Sequence, residues 1–279
     1  MSKAKNIIIP SNKILLFGGV YSNLQALQQM QRIAREKGFT PDEIICNGDI
    51  VGYCAQPEKC VQLIKEWGIH NIIGNVEENL REGVDDCGCD FDEGTRCDIF
   101  SRQWYPFAQQ AVSKESVEWM KELPNQLRFE FGGKKWAVVH GSPDHISEFI
   151  FNSTSWQVKK AHLNTLHVDG IIAGHSGLPF SNEKEGKYWV NPGVIGMPAN
   201  DGQAAVWYAI LKQENGAIKI EHHSFNYEQQ KANELMLEKG LPSSYAKTLL
   251  TGIWDNCEIL PEEETNNQGL KIFPEISKP

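Results

Sequence analysis

Ile44-Ile45-Cys46-Asn47-Gly48-Asp49-Ile50-Val51-Gly52-Tyr53 is an apolar run that halts on an amide, a glycine and a carboxylate before apolar character resumes. The simplest reading is a short strand over 43–46 that ends in a turn at Asn47-Gly48-Asp49, where glycine supplies the backbone freedom. The same pattern recurs on both sides. Upstream, the apolar run 14–17 meets Gly18-Gly19, and apolar residues then recur at helical spacing over 24–37 (Leu24, Leu27, Met30, Ile33, Ala34). Downstream, a helix over 57–67 opens on Pro57 with Val61, Ile64 and Trp67 on one face, and a strand over 71–73 meets Gly74-Asn75. Three strands separated by helices, each ending in a glycine turn, predict an α/β sheet. Ligands of such sheets sit at the carboxyl ends of the strands.

Residues 79–97 break this rhythm with an acidic, cysteine-bearing insertion, and helical spacing resumes over 101–122 (Trp104, Phe107, Ala108, Ala111, Met120). The second half has a different texture. Strands are predicted over 127–131, 136–140, 170–173, 188–191, 204–212 and 217–223, with hairpin turns at Gly132-Gly133 and Asn215-Gly216, so a second sheet is expected. A closing helical pair is read over 227–239 and 243–251, with Gly240 and Gly252 as caps, and 256–279 reads as a polar surface tail. With no internal repeat and no linker, residues 1–279 form one domain: a motif-bearing core over 14–225, closing helices over 226–255 and the tail.

The 279 residues are 41% hydrophobic and 23% charged, which excludes collagen-like, low-complexity and wholly disordered chains. The 27 Lys and Arg against 36 Asp and Glu give a net charge of −9, a field that repels duplex nucleic acid but tolerates a small anion held by a metal. Seven cysteines, an odd number in no disulfide-framework pattern, point to a reducing, cytoplasmic setting. Ile7-Ile8-Ile9 stops at Pro10, too short for a signal-peptide core, and no run approaches the ~20 apolar residues of a membrane helix, so no membrane partner is expected.

Four polar residues stand where apolar runs end beside glycine: Asp49, Asn75, His140 in His140-Gly141 and His175 in Gly174-His175. Taken singly, each is a turn residue or a satisfied strand-end histidine. Together, a carboxylate, an amide oxygen and two imidazoles suit Zn, Mn, Fe or Co. Their order and contexts resemble the calcineurin-like metallophosphoesterase superfamily, whose successive motifs are D-x-H, G-D, G-N-H-D/E, an H-G strand end and G-H-x-H. The resemblance spans 14–225 and is nearest to the bacterial branch through Asn23-Leu24-Gln25-Ala26-Leu27, Gly48-Asp49-Ile50-Val51-Gly52-Tyr53, His140-Gly141-Ser142-Pro143 and Asn191-Pro192-Gly193. It implies a four-layer αββα sandwich, two packed mixed sheets flanked by helices.

The departures from those motifs are specific. Gly19 and Tyr21 stand where the family has the Asp and His of D-x-H, Val76 replaces the catalytic His, and Gly177 replaces the second His of the last motif; Glu77 keeps the acidic position that orients that catalytic His. By resemblance, one metal loses all its ligands but the shared Asp49, while the other keeps Asp49, Asn75, His140 and His175. The implied cofactor is therefore one Mn, Fe or Zn ion, with a second metal left short of ligands and no catalytic residue assigned beyond Glu77 as a candidate. Tyr21 or Tyr53 could rebuild the lost site as a phenolate; the plainer reading makes them packed aromatics.

The implied activity is hydrolysis of a small phosphorylated ligand, a phosphomonoester, phosphodiester or nucleotide, with Gly18, Gly19 and Ser22 offering donors to its phosphate. The alternative is a catalytically silent module that binds a metal, a phosphorylated ligand or a protein partner. A third reading uses Cys54, Cys87, Cys89 and Cys97 as a soft-metal or redox set, against a thiol-rich solvated loop as the plain explanation. His162, His167, His222 and His223 read as packing or surface residues.

Overall fold

The structure, a computed structural model, describes residues 4–273. From the amino end the chain forms β1 (Ala4–Asn6), β2 (Lys13–Phe17), α1 (Leu24–Glu36), β3 (Ile44–Cys46), α2 (Pro57–Trp67), β4 (His70–Asn71), α3 (Asn75–Glu82), α4 (Arg96–Ala111), α5 (Lys114–Glu122), β5 (Gln126–Phe131) and β6 (Lys134–Val138). It continues through α6 (Trp156–Leu166), β7 (Gly170–Ile172), β8 (Phe180–Lys184), β9 (Lys187–Asn191), β10 (Val206–Glu214), β11 (Ala217–Phe225), α7 (Gln229–Glu238), α8 (Ser243–Thr251) and the short α9 (Glu262–Thr265).

The strands make two mixed sheets, ordered β1-β5-β6-β7-β9-β8 and β11-β10-β2-β3-β4. In the second, β2, β3 and β4 run parallel, and β10 joins β2 antiparallel with Leu16 opposite Ala209. The unbroken apolar run of β2 follows from burial on both faces. Ile14 and Leu16 point into the layer between the sheets with Ile45, Leu127, Trp136 and Val190, while Leu15 and Phe17 meet the outer helices. Helices α1, α2, α4, α5, α7 and α8 cover the β2 sheet, and α6 covers the other through Leu163 and Leu166 against Ile171 and Trp189. The architecture is the expected αββα sandwich. Among the described residues, no helix is long and apolar enough to cross a membrane.

Several elements differ from the sequence reading, each for a local reason. The helix expected over 101–122 is two helices. The Ser113 hydroxyl accepts from Ser116 N at 3.1 Å, while Ser113 N–H and Oγ–H donate to Glu58 at 2.8 and 2.9 Å, so the backbone leaves the helix there. The insertion over 79–97 is shorter than expected: α3 runs to Glu82, and Thr95 caps α4 by accepting from Asp98 N at 3.3 Å. Strands β1 and β8 were not anticipated. Both lie on sheet edges, where pairing to one neighbour rather than apolar alternation defines them, β1 parallel to β5 and β8 antiparallel to β9. The tail is not wholly a surface feature, since Asn256 and Ile259 line a cleft described below; its residues 274–279 lie outside the described residues.

Candidate metal centre

The turns that follow β3, β4, β6 and β7 converge at one end of the sandwich. The β3 turn carries Asp49 in a left-handed conformation (φ +54°), after Gly48 at φ +100°. Glu77 fixes it there. The fully buried Glu77 carboxylate accepts from the backbone N–H groups of Asp49, Val51 and Gly74 at 2.9, 2.8 and 3.0 Å, so one side chain joins the β3 and β4 turns. A Cβ on Gly74 would stand 2.1 Å from Asp49 Oδ1, and one on Gly48 would stand 2.8 Å from His140 Nδ1. Only glycine permits that approach.

Asn75 opens α3, and its Nδ2 donates to the Cys87 carbonyl at 3.0 Å and reaches Cys89 Sγ at 3.4 Å, leaving Oδ1 for His140. His140 Nδ1 donates to the Asn47 carbonyl at 2.8 Å, which makes Nε2 the free nitrogen of the neutral ring. The next turn is held close: Gly174 N–H and His175 N–H donate to the His140 carbonyl at 2.8 and 3.0 Å.

His140 Nε2 then lies 3.0 Å from Asn75 Oδ1, 3.2 Å from Asp49 Oδ2 and 3.2 Å from His175 Nδ1. Four electron-rich atoms crowd one point. Metal bonds of about 2.1 Å in tetrahedral geometry place ligand atoms about 3.4 Å apart, near these separations. Asp49 Oδ1 and His175 Nε2, both on buried side chains, have no hydrogen-bond partner, whereas the atoms that face the common point are Asp49 Oδ2 and His175 Nδ1. The donor set, two imidazole nitrogens, a carboxylate and an amide oxygen, fits a transition metal.

The electrostatics agree. Burial, then neighbouring His140, push the His175 pKa down to about 3, so its imidazole is neutral and able to ligate. Burial disfavours charge on His140, yet the charge and hydrogen bond of Asp49, with the Asn47 carbonyl and Glu77, together outweigh it and raise the His140 pKa: this point attracts positive charge. Burial, then Asp49, raise Glu77 to about 7.

Tyr21, also left-handed at φ +50°, lays its ring between Gly19 and Gly177. A Cβ on Gly19 would stand 2.7 Å from Tyr21 Cζ, and one on Gly177 would stand 3.9 Å from its hydroxyl. Tyr21 packs edge-on to Tyr53, with ring centroids 4.8 Å apart, and Tyr53 packs the same way on Tyr245 at 4.9 Å. Burial raises the pKa of both Tyr21 and Tyr53, which disfavours a phenolate at either. These rings, with Phe91, Phe149 and Trp254, wall a cleft whose floor includes Asp49 and His175.

A family model described as the calcineurin-like phosphoesterase superfamily domain matches residues 13–216. The chain belongs to this superfamily. An uncharacterized protein of Methanocaldococcus jannaschii is 28% identical over 258 residues, covering 86% of this chain and 98% of its own. The crystal structure of a metallophosphoesterase from Sphaerobacter thermophilus superposes with a TM-score of 0.67 at 26% identity, covering 87% of this chain and all (100%) of the other. A hypothetical protein from Pyrococcus horikoshii shares the fold, with a TM-score of 0.72 at 18% identity over 89% of this chain and 100% of its own.

Within this calcineurin-like fold the structure brings Asp49, Asn75, His140 and His175 together, as the four ligand candidates require. It treats Gly18, Gly19 and Ser22 differently. Gly19 N–H and Ser22 N–H donate to the carbonyls of Gly48 and Ile50 at 3.2 and 2.8 Å, Ser22 Oγ accepts from Gly52 N at 3.0 Å, and none of the three residues lines the cleft. Val76 is buried in the helical core. The cysteines are not a solvated loop: Cys87 and Cys89 are bonded to each other and buried, and Cys54 and Cys97 are buried free thiols, Cys97 lining the same cleft as Cys89. Among the described residues, the acidic, histidine and cysteine groups close enough to share an ion are Asp49, His140 and His175, so the four cysteines do not assemble as one soft-metal set.

Of the remaining histidines, His222 is buried, and His162 packs on Trp189 with ring centroids 5.9 Å apart. Sequence reading missed the role of Glu77 as a backbone clamp. The G-N-x-E spacing at the start of a helix is the signal that could have revealed it, since a carboxylate at the third helical position reaches back to the N-cap. The cleft aromatics Phe149, Tyr245 and Trp254 carried no motif.

Proposed function

We propose that this protein hydrolyses phosphoesters with one transition-metal ion, Mn, Fe or Zn, held by Asp49, Asn75, His140 and His175. The supporting observation is the convergence of four ligand atoms, Asp49 Oδ2, Asn75 Oδ1, His140 Nε2 and His175 Nδ1. A metal held there supplies Lewis acidity toward a phosphoryl oxygen. The chain's own groups prepare the place: Glu77 fixes the Asp49 turn, the Asn47 carbonyl orients His140, and the Cys87 carbonyl orients Asn75. The aromatic wall lines the approach to this point.

The first metal position of the family is filled in this reading by Tyr21 between Gly19 and Gly177, and the family's proton donor is replaced by buried Val76. Losing two transition-state contacts of about 3–4 kcal/mol each lowers turnover by several powers of ten relative to a complete two-metal site. Good leaving groups lose least. Val76 and Tyr21 also favour a second reading, in which a phosphorylated ligand is bound and not turned over.

The test begins with metal content per chain, by elemental mass spectrometry on protein purified without chelators. Assays with 4-nitrophenyl phosphate and bis(4-nitrophenyl) phosphate follow. Near one metal per chain with metal-dependent turnover, both lost in His175→Ala, supports hydrolysis. One metal without turnover selects the binding reading. No metal after reconstitution with Mn, Zn and Fe overturns both.

A further inference from the structure

We propose that the cleft beside the metal centre selects a phosphoester whose leaving group carries an uncharged aromatic ring next to the ester oxygen. This inference rests on the phosphoester reading above and names its substrate class. Two independent observations lead to it. First, the cleft holds the aromatic side chains Tyr21, Tyr53, Phe91, Phe149, Tyr245 and Trp254, and among the described residues no lysine or arginine lines it. The carboxylate of Asp255 lies on its wall, already paired with Arg96, and Asp49 lies on its floor. Beyond the metal, polyphosphate chains and anionic leaving groups would meet only an arginine already paired with Asp255, whereas a flat apolar ring gains burial and edge or face contacts.

The second observation concerns proton supply. Val76, which stands where the family has its proton-donating His, has no proton to give a departing oxygen. Without that donor, a leaving group that can depart as a stable anion is favoured. A phenolic oxygen, with a conjugate acid of pKa about 10, does this far more readily than an alkoxide, which needs a proton before it leaves. Hydrolysis forms a bond between a water oxygen and phosphorus and breaks the P–O(aryl) bond with its electron pair left on the aryl oxygen. The proton of the water passes to solvent. Charge, shape and proton economy thus favour the same ester.

The test is calorimetric titration of the Mn-loaded protein with phenylphosphonate, methylphosphonate and 4-phosphonobenzoate, none of which can be hydrolysed. Phenylphosphonate is expected to bind at least about tenfold tighter than methylphosphonate, a gain typical of a stacked and buried ring. The carboxylate of 4-phosphonobenzoate is expected to remove most of that gain. Trp254→Leu, or Phe91→Leu if the first variant loses its circular-dichroism spectrum, brings the phenyl and methyl ligands to within about threefold. Equal binding of phenyl and methyl ligands by the native protein overturns the aromatic subsite and leaves anion binding at the metal standing. Tighter binding of 4-phosphonobenzoate overturns the charge argument. Failure of a Mn-containing protein to bind any of the three removes the phosphoester reading and this inference together.

Discussion

Glu77 shows how much of the site depends on one side chain. Its carboxylate accepts three buried backbone N–H groups and so fixes both the Asp49 and the Asn75 turns. Glu77→Ala leaves those donors unpaired and is expected to lower unfolding free energy by about 3–5 kcal/mol in urea titration, with loss of bound metal in the folded fraction. His222 makes a separate prediction away from the site. Burial, then the nearby His223, lower its pKa to about 4, and neither ring nitrogen has a hydrogen-bond partner. Between pH 6.5 and 4 the unfolded chain takes up a proton that the folded chain refuses. The His222 contribution is therefore complete above about pH 6.5 and is lost as pH falls toward 4, by about 2–3 kcal/mol. Urea unfolding at pH 7 and pH 5 checks it, and His222→Gln should flatten that part of the pH dependence. The sequence identified these residues only by type: nothing local to His222 announces that both its nitrogens are buried and unpartnered.

At the scale of elements, the division between α4 and α5 depends on Glu58 in α2, which accepts from Ser113 N–H, Ser113 Oγ, Ser116 Oγ and Gln62 Nε2 at 2.8 to 3.0 Å. Glu58→Ala removes the common acceptor of this joint and is expected to destabilise the protein by about 2–3 kcal/mol, read as a lower urea midpoint at unchanged slope. The helical period over 101–122 continued across Ser113, so periodicity alone hid the break, whereas the capping chemistry of Ser113 needs a partner from a distant helix to be recognised. The strands read more reliably. In β2, β3, β6 and β7 the apolar run and the glycine turn lie within a few residues of each other, and the turn ends the strand where the site residue follows.

For the whole molecule, the four ligand candidates come from both sheets: Asp49 and Asn75 follow β3 and β4, whereas His140 and His175 follow β6 and β7. A metal bound there ties the two layers together and binds the folded state alone. At one hundred times its dissociation constant, Mn is expected to add about 2.7 kcal/mol, raising the melting temperature by about 5 °C or more. Chelation should reverse the rise, and His140→Ala should abolish it; differential scanning calorimetry reads both. The sequence by itself determined the alternation of strand and helix, the glycine turns and the identity of the four ligand candidates, because turn chemistry and hydrophobic period act within a few residues. Tertiary structure decided that the Tyr21 ring lies between Gly19 and Gly177, that Glu77 binds backbone, that Gly19 and Ser22 spend their N–H groups internally, and that Phe149, Tyr245 and Trp254 wall one cleft. Those contacts join residues far apart in the chain, and packing between layers, rather than any local pattern, brings them together.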